Sequence, residues 1–236
     1  MTFKKTQAYY DAVYHFKDYK AEARALTAII ERAKRSGGRD LLDVACGTGM
    51  HLEELKRHYH CRGVDLDAGM LRVARARLKD VPLHRADMRT FDLGHTFDAV
   101  VCLFGSIGYG QDRASLDRTL KRLAAHAKPG GVVVVEPWIL RGQFKHGRSG
   151  IQVGKAPGVH VARAFRSEAR GTVSRLHFHY LVASGGKLHT IRERHTLGLF
   201  TRAEYERAFR RAGLSVRFYK RGLTGRGLFV GVRPRP

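Results

Sequence analysis

The sequence predicts an α/β fold with a doubly wound, mostly parallel sheet of seven strands and an antiparallel insertion of three strands. Short apolar runs alternate with amphipathic segments as far as Glu136, and this alternation is typical of a parallel sheet covered by helices on both faces. After Trp138 the period changes to two, which indicates antiparallel strands. Two apolar runs near the carboxyl terminus then complete the first sheet.

The element boundaries follow from apolar spacing and from capping residues. Helical spacing predicts a leading helix over 8–14 and a lid helix over 18–34, and Thr201 with Glu204 predicts a capping box for a helix over 201–212. Further helices are expected over 49–58, 68–79 and 112–127. The predicted strands of the first sheet are 41–45, 61–66, 82–86, 97–103, 132–136, 214–219 and 227–232, the last antiparallel, and those of the insertion are 159–167, 172–183 and 187–200.

The segment 41–52, LLDVACGTGMHL, carries the first functional signal. A strand that turns into a helix within a few residues, close to a ligand, needs glycine. We expect the amides that begin the next helix to favour the carboxylate of S-adenosylmethionine, and an acidic side chain to pair with its ammonium. A dinucleotide fold is disfavoured because Leu52 replaces the third glycine of that fingerprint. The predicted cofactor contacts here are Asp43, Ala45, Gly47, Thr48 and Gly49.

Two further strand ends carry acidic residues. Asp65 follows Gly47 by 18 residues, a position from which a carboxylate can accept both ribose hydroxyls. Asp87 and Met88 end another short strand and suit the adenine amine and ring. Each aspartate taken alone could be a helix cap, but the three together predict S-adenosylmethionine binding. Leu66 and Met70 complete this set of expected cofactor contacts.

Composition restricts the class of protein. A chain of 236 residues suits one elaborated α/β domain, and no stretch has the length of a membrane span. The start MTFKKTQAYYD lacks the apolar core of a signal peptide, so we expect a cytoplasmic protein. Its three cysteines have no metal-ligand spacing and are expected to be buried thiols. No metal is predicted, because nothing in the sequence sets the register of His189 and His195 against His177 and His179.

The positive charge is concentrated in the second half of the chain. Residues 1–140 hold 23 basic and 17 acidic side chains, whereas residues 141–236 hold 21 and 4, so the net charge is +6 and then +17. Such a surface attracts an anionic small substrate or RNA. A solvated basic face without a ligand is the alternative.

Segments throughout the chain resemble the S-adenosylmethionine-dependent N,N-dimethyltransferases of nucleotide-linked aminodeoxysugars, the desosamine and mycaminose type of antibiotic biosynthesis. The resemblance lies in YYDAVYHFKDYKAEA, LLDVACGTGMHL, GSIGY, VVVVEPW, HYLVA, FTRAEYERAF and TGRGLFVGV. It implies the Rossmann-like methyltransferase fold, with a cofactor-binding domain and helical lid over 1–139, a substrate-side insertion over 140–198, and a return to the core over 199–236. It further implies that Tyr10 and Tyr19 close over the cofactor and that Leu103 lines its pocket.

The resemblance also implies that the acceptor lies between the GSIGY loop, Trp138, the insertion and the Arg226 loop. We expect Tyr14, Gly105, Ser106, Trp138 and Arg226 to bind it, although Tyr14 could instead be the apolar underside of the lid and Trp138 could be core. Arg226 lies between glycines, in a loop where it would gain no packing, so a phosphate contact is preferred. The loop reads GSIGY where the resembling enzymes carry SSIGH, so tyrosine replaces histidine near the acceptor amine.

Methyl transfer requires a positioned neutral nucleophile rather than a strong base. The catalytic hypothesis is that Tyr109 orients the amine or takes its proton through water, with the nucleotide-linked sugar as anionic partner. The alternatives are another small-molecule N- or O-methyltransferase, an RNA methyltransferase and a non-catalytic cofactor-binding protein. A homodimer is a further expectation.

Overall fold

The computed structural model of the protein describes residues 6–235, which form two β-sheets and six α-helices. The strands are β1 (Asp40–Val44), β2 (His60–Asp65), β3 (Leu83–Arg85), β4 (Phe97–Cys102), β5 (Ala127–Val135), β6 (Ser149–Ala156), β7 (Val159–Arg170), β8 (Val173–Ser184), β9 (Lys187–Gly198), β10 (Ser215–Tyr219) and β11 (Leu228–Val232). The segment 1–5, which contributed to the prediction against a signal peptide, lies outside the described residues.

The helices lie close to their predicted places. They are α1 (Tyr10–Val13), α2 (Tyr19–Ala33), α3 (Met50–Leu55), α4 (Ala68–Arg77), α5 (Arg113–Ala125) and α6 (Arg202–Arg211), with 3-10 turns at Gln7–Tyr9, Ser106–Gly110 and Arg141–Gln143. The predicted capping box of α6 is present, because Thr201 and Glu204 each accept the backbone N–H of the other. None of the helices among the described residues is long and apolar enough to cross a membrane.

The first sheet confirms the doubly wound prediction. Its seven strands are ordered β10-β11-β5-β4-β1-β2-β3. β11 runs antiparallel to β10 and β5 on either side of it, and the other adjacent pairs are parallel. The register pairs Asp43 of β1 with Gly63 and Val101, and pairs Asp65 of β2 with Arg85. The carboxyl ends of the strands therefore meet at one edge, where ligands of open α/β sheets bind.

Buried side chains cover both faces of this sheet. On one face Phe200, Tyr205, Phe209 and Phe229 pack with α5 and α6, and the rings of Tyr205 and Phe229 stack at 4.7 Å. On the other face Leu26 and Ile30 of α2 pack against the sheet and α3. Cys61 and Cys102 are buried and Cys46 is half-buried, all three as free thiols. These two layers hold the carboxyl edge of the sheet rigid.

The second sheet has four antiparallel strands in the order β6-β7-β8-β9, so the prediction of three strands is wrong. The missed strand is β6, which presents Ile151 and Val153 to solvent and turns Gln152 and Gly154 inward. The burial pattern of β6 is therefore the reverse of the usual one, with apolar side chains exposed and glutamine and glycine facing inward. The reason is a close approach of backbone, because a Cβ on Gly154 would lie 2.1 Å from the carbonyl oxygen of Ala12 in α1. The proposed division into parts over 1–139, 140–198 and 199–236 remains a proposal.

Asp98 anchors the opposite edge of the first sheet and yields a prediction about stability. Its carboxylate is 1% exposed and accepts hydrogen bonds from the N–H groups of Gly38 and Asp40 and from the Lys128 ammonium at 2.8–3.1 Å. Although burial alone would raise the pKa of Asp98, these hydrogen bonds lower it to about 2.

Because the pKa is lower in the folded state, the stabilisation by Asp98 is complete above about pH 4 and is lost as the pH falls towards 2. We expect Asp98→Ala to reduce the free energy of unfolding by roughly 2–3 kcal/mol at pH 7, measured in urea. The difference from wild type should shrink between pH 4 and 2. A difference that stays constant over this interval would contradict the assignment.

Candidate functional site

A cavity of about 930 Å³ opens at the carboxyl edge of the first sheet. It lies between that edge, the lid formed by α1 and the start of α2, and the inner face of the second sheet. Its acidic lining residues are Asp18, Glu22, Asp65, Asp67 and Asp87, and its basic ones are Lys17, Arg89, Lys145, Arg148, Arg163 and Arg226. Lys17 pairs with Glu22 and Arg89 pairs with Asp87. The other acidic residues lie at the end of β2 and the start of the lid helix, whereas the other basic residues lie towards the second sheet and the loop before β11, so the two ends of the space differ in charge.

The glycine turn after β1 borders the cavity. Ala45, Gly47 and Gly49 all have positive φ, and a Cβ on Gly47 would meet no atom within 4 Å. The amide of Gly47 donates to Asp65 at 2.8 Å, and that of Gly49 donates to the carbonyl of Cys46 at 3.0 Å. Glycine therefore serves the tight path of the turn and leaves room beside it for a ligand.

The lid is tied to this turn by an ion pair. The Thr48 hydroxyl donates to Asp11 of α1 at 2.7 Å, and Arg77 of α4 contacts the same carboxylate at 2.6 Å. This arrangement holds α1 across the cavity, where Tyr10 and Tyr14 lie with their rings 4.6 Å apart. Tyr19 instead packs its ring against His51 at 4.9 Å.

Two carboxylates lie close together at the ends of β1 and β2. Asp43 is 2% exposed, and its Oδ1 has no hydrogen-bond partner among the described residues. Asp65 accepts the amides of Gly47 and Asp67, one on each oxygen. Burial raises the pKa of both groups, and the charge of Asp65 raises that of Asp43 further. Oδ1 of Asp43 could therefore accept a hydrogen bond from a ligand or pair with a cationic group.

These features fit S-adenosylmethionine. The orphan oxygen of Asp43 suits the ammonium of the methionine part, and Asp65 keeps lone pairs for ribose hydroxyls, since a carboxylate can accept about four hydrogen bonds. Leu66, Met70 and Met88 line the same end and offer apolar surface to adenine. Asp87 beside them is held by Arg89, whose hydrogen bond lowers the pKa of the carboxyl.

The other end of the cavity is built around Trp138, which follows β5. A Cβ on Gly105 would lie 2.9 Å from the Trp138 Cα, and one on Gly108 would lie 3.0 Å from its Cβ. Glycine at both positions therefore lets the loop after β4 pack directly on Trp138. The indole N–H donates to Ser174 of β8 at 3.0 Å, so the ring also joins the two sheets.

Glu136 and Arg226 fix the loops at this end. Glu136 is fully buried and accepts the amide of Phe104 at 2.8 Å and the hydroxyl of Thr224 at 2.5 Å. The guanidinium of Arg226 lies over the rings of Phe104 and Trp138, at 4.7 and 4.9 Å from their centroids. The expectation that Arg226 gains no packing is therefore wrong, since its guanidinium contacts both rings.

Tyr109 contacts the second sheet rather than standing alone in the cavity. Its hydroxyl lies 2.7 Å from Nδ1 of His195, whose Nε2 lies 3.3 Å from Glu193. Burial, with Tyr14, Tyr180 and Glu193 nearby, raises the pKa of the Tyr109 phenol well above its ordinary value. The group is therefore a neutral phenol in the physiological range and a poor base by itself.

The structure brings most of the predicted site residues to one cavity. Those that line it are Tyr10, Tyr14, Ala45, Gly47, Asp65, Leu66, Met70, Asp87, Met88, Ser106, Tyr109, Trp138 and Arg226. Those placed behind its lining are Tyr19, Asp43, Thr48, Gly49, Leu103 and Gly105. Leu103 lies in the buried core beneath the sheet. Assignment of each contact to cofactor or acceptor remains a proposal.

Three residues of the site were not predicted from sequence. Glu136 stands at the end of VVVVE, and an acidic residue ending a buried strand was a usable signal. Arg163 lines the cavity and donates to the hydroxyl of Tyr14 at 3.0 Å. His195 pairs with Leu176 in the sheet, so it faces inward with Phe178 while His179 faces out. Within residues 6–235 no group of three histidine, cysteine or acidic side chains could hold a metal ion.

The chain matches known proteins over nearly its whole length. A methyltransferase domain family matches residues 41–131. The chain is 46% identical over 227 residues to a dTDP-3-amino-3,6-dideoxy-alpha-D-glucopyranose N,N-dimethyltransferase of Streptomyces fradiae, covering 94% of this chain and 89% of the relative. It is 43% identical over 218 residues to a dTDP-3-amino-3,4,6-trideoxy-alpha-D-glucopyranose N,N-dimethyltransferase of Streptomyces venezuelae, covering 92% of each.

Solved structures give the same result. The crystal structure of Streptomyces venezuelae DesVI has a TM-score of 0.89 at 41% identity and covers 96% of this chain and 95% of that one. S-adenosylmethionine-bound CalS10, an amino pentose methyltransferase from Micromonospora echinaspora involved in calicheamicin biosynthesis, has a TM-score of 0.86 at 39% identity and covers 99% and 98%. The predicted methyltransferase fold and cofactor are confirmed. The chain belongs to the S-adenosylmethionine-dependent methyltransferases, in the family of the nucleotide-linked aminodeoxysugar N,N-dimethyltransferases.

Proposed function

We propose that this methyltransferase N-methylates the amino group of a nucleotide-diphosphate-linked aminodeoxysugar. The observation that carries the proposal is the single cavity, which joins the acid-lined end to an aromatic end lined by arginines. Such a cavity suits a cationic cofactor at one end and an anionic acceptor at the other. The printed names of the 46% and 43% identical relatives specify dTDP-linked amino sugars and support this acceptor class.

The residues of the chain mainly position the reactants. S-adenosylmethionine, when bound, supplies an electrophilic methyl group on its sulfonium. Tyr10 and Tyr14 close the cavity from the lid, and Trp138 closes it from the opposite side, so water is excluded around the acceptor. Within such a closed space, holding the amine about 3–3.5 Å from the methyl carbon supplies most of the rate enhancement. In this proposal Tyr109 and Ser106, which both line the cavity, contact the amine and its neighbouring hydroxyls.

The basic second half of the chain contributes directly to this cavity. Lys145 and Arg148 follow β5 and precede β6, Arg163 lies on β7, and Arg226 precedes β11. A guanidinium recognises diphosphate oxygens through paired N–H groups. We therefore assign part of the charge excess to the diphosphate of the acceptor. RNA binding and a homodimer remain predictions.

Arg226→Ala is expected to raise KM for the nucleotide-linked acceptor about tenfold to 100-fold and to change kcat by less than about threefold. The physical reason is that a phosphate contact remote from the amine binds ground state and transition state alike. Arg226→Lys should recover only part of the affinity, since an ammonium cannot form the paired contact or the same ring stacking. Steady-state kinetics with Arg221→Ala as matched loop control checks this. A loss confined to kcat would contradict the phosphate role.

The acceptor chemistry is tested with pairs of nucleotide-linked deoxysugars that differ in one group, an amine in one member and a hydroxyl in the other. Purified enzyme, S-adenosylmethionine and each sugar are incubated, and the product is located by mass and by NMR of the labelled methyl. We expect methylation on nitrogen of the amine member and none of the hydroxyl member. Methylation of both members, or of the hydroxyl alone, would overturn the proposal.

A further inference from the structure

A chain of polar contacts leads away from the acceptor end of the cavity into the second sheet. Tyr109 and His195 both line the cavity, with the phenol oxygen 2.7 Å from Nδ1 of the imidazole. Nε2 of His195 lies 3.3 Å from Glu193, and Thr6 donates to both oxygens of that carboxylate at 2.9 Å. His195 is 2% exposed, so this chain is shielded from solvent.

The direction of each hydrogen bond follows from the acceptor at its far end. A carboxylate only accepts hydrogen bonds, so the N–H on Nε2 of neutral His195 donates to Glu193. Nδ1 then carries the lone pair and accepts the proton of the Tyr109 hydroxyl. Consequently the free lone pairs of the Tyr109 oxygen face the cavity. That oxygen is an acceptor for an amine N–H.

The surroundings of the pair are defined. The ring of Phe178 packs on His195 from β8 at 5.2 Å, and it carries no charge. Glu193 faces the imidazole from β9 and Tyr109 faces it from the turn after β4. Tyr14 and Tyr180 are titratable groups near Tyr109, and Arg163 contacts both of them. Glu193 is thus the anion that stabilises a proton on His195.

We propose that His195 is the terminal proton acceptor of the reaction and that Tyr109 relays to it the proton released by the methylated amine. This inference rests on the proposed function, since it requires an amine acceptor. It assigns the base to the second sheet rather than to Tyr109 itself, and the reluctance of the buried phenol to ionise agrees with a relay that never leaves a phenolate behind.

In the proposed reaction the amine lone pair forms the new N–C bond while the C–S bond of the sulfonium breaks and its electron pair passes to sulfur. The nitrogen is then an ammonium, and its N–H proton moves to the Tyr109 oxygen as the phenol proton moves to Nδ1 of His195. The products are a neutral methylamine, an unchanged phenol and an imidazolium paired with Glu193. Solvent removes the imidazolium proton when the cavity opens.

The relay matters most when the same nitrogen is methylated twice. After the first transfer the nitrogen holds an extra proton and has no free lone pair, so it is no longer a nucleophile. Proton loss to bulk water is hindered while the lid covers the site. A base one hydrogen bond beyond Tyr109 restores the lone pair without disturbing the groups that position the sugar.

The test uses His195→Asn, whose side-chain oxygen can still accept the Tyr109 hydroxyl but cannot take up a proton. We expect kcat on a monomethylated nucleotide-linked aminosugar to fall about 100-fold, with KM for the sugar changed less than about threefold. His179→Asn, on the exposed face of β8, is the matched control and should behave as wild type.

Tyr109→Phe provides an independent variant that leaves the histidine in place and cuts the relay. It should show the same loss of kcat with KM for the sugar little changed, and the double variant should lose no more than either single one, because the two residues act as a unit. Unchanged kcat in His195→Asn, or additive losses in the double variant, would overturn the relay alone. A wild-type enzyme that methylates none of the aminosugars would overturn the proposed function and the relay with it.

Discussion

Asp65→Ala should weaken binding of S-adenosylhomocysteine by at least about 100-fold, as measured by isothermal titration calorimetry. In the proposed cofactor site Asp65 accepts two charge-assisted hydrogen bonds from the ribose, and losing both should cost about 3 kcal/mol or more. It also loses the acceptor that holds the Gly47 amide at 2.8 Å, so the turn after β1 is no longer fixed. Turnover should fall in parallel.

The global stability should change little. Burial raises the pKa of Asp65, so its charge costs stability at neutral pH, and removing that cost offsets the loss of the acceptor for the Gly47 and Asp67 amides. The thermal midpoint should therefore stay within roughly 4 °C of wild type. Asp80→Ala, an exposed aspartate that pairs with Lys56, is the matched control and should bind as wild type does. Normal affinity in Asp65→Ala would remove this residue from the cofactor site.

Glu136→Ala should lower kcat/KM for the acceptor by at least about 100-fold while changing affinity for S-adenosylhomocysteine by less than about threefold. Glu136 touches no reactant; it holds Phe104 and Thr224, the residues that place the GSIGY loop and the Arg226 loop. Without it, two half-buried donors lose their acceptor, which also costs roughly 2–4 kcal/mol of folding free energy. Calorimetry and steady-state kinetics together separate these effects.

Glu136→Gln distinguishes positioning from general destabilisation. The amide oxygen can still accept the Phe104 N–H, and the amide nitrogen can donate to the Thr224 oxygen, so we expect a loss of only about tenfold. Thr224→Val removes one of the two contacts, so its loss should lie between those of Glu136→Gln and Glu136→Ala. If Glu136→Ala lost cofactor affinity and acceptor turnover equally, the two-loop role would be wrong.

The first sheet and the cofactor end of the cavity were predictable because the residues that form each of their features lie close together in the sequence. The turn around Gly47 and the acidic strand ends Asp43 and Asp65 each appear as a short pattern, and parallel pairing brings strand ends to one edge. The antiparallel β11 was also predicted, whereas the order of the strands was not.

The acceptor end was harder to predict because it depends on register and on contacts between distant segments. His195 faces inward only because it pairs with Leu176, and no local pattern sets that register. β6 escaped prediction because its inner face is glycine and glutamine packed on the backbone of α1, which inverts the usual alternation. Arg226 was predicted as a ligand-binding residue, but its stacking on Phe104 and Trp138 needed the fold.

The most direct test of the proposed acceptor is a competition assay with isotopically labelled S-adenosylmethionine. Nucleotide-linked aminosugars, the same sugars without the nucleotide, and total RNA are present together at moderate salt, and the labelled products are identified by mass. The account predicts label on the nucleotide-linked aminosugar, with the free sugar methylated far more slowly because it lacks the diphosphate contacts. Label on RNA, or equal labelling of free and nucleotide-linked sugars, would contradict it.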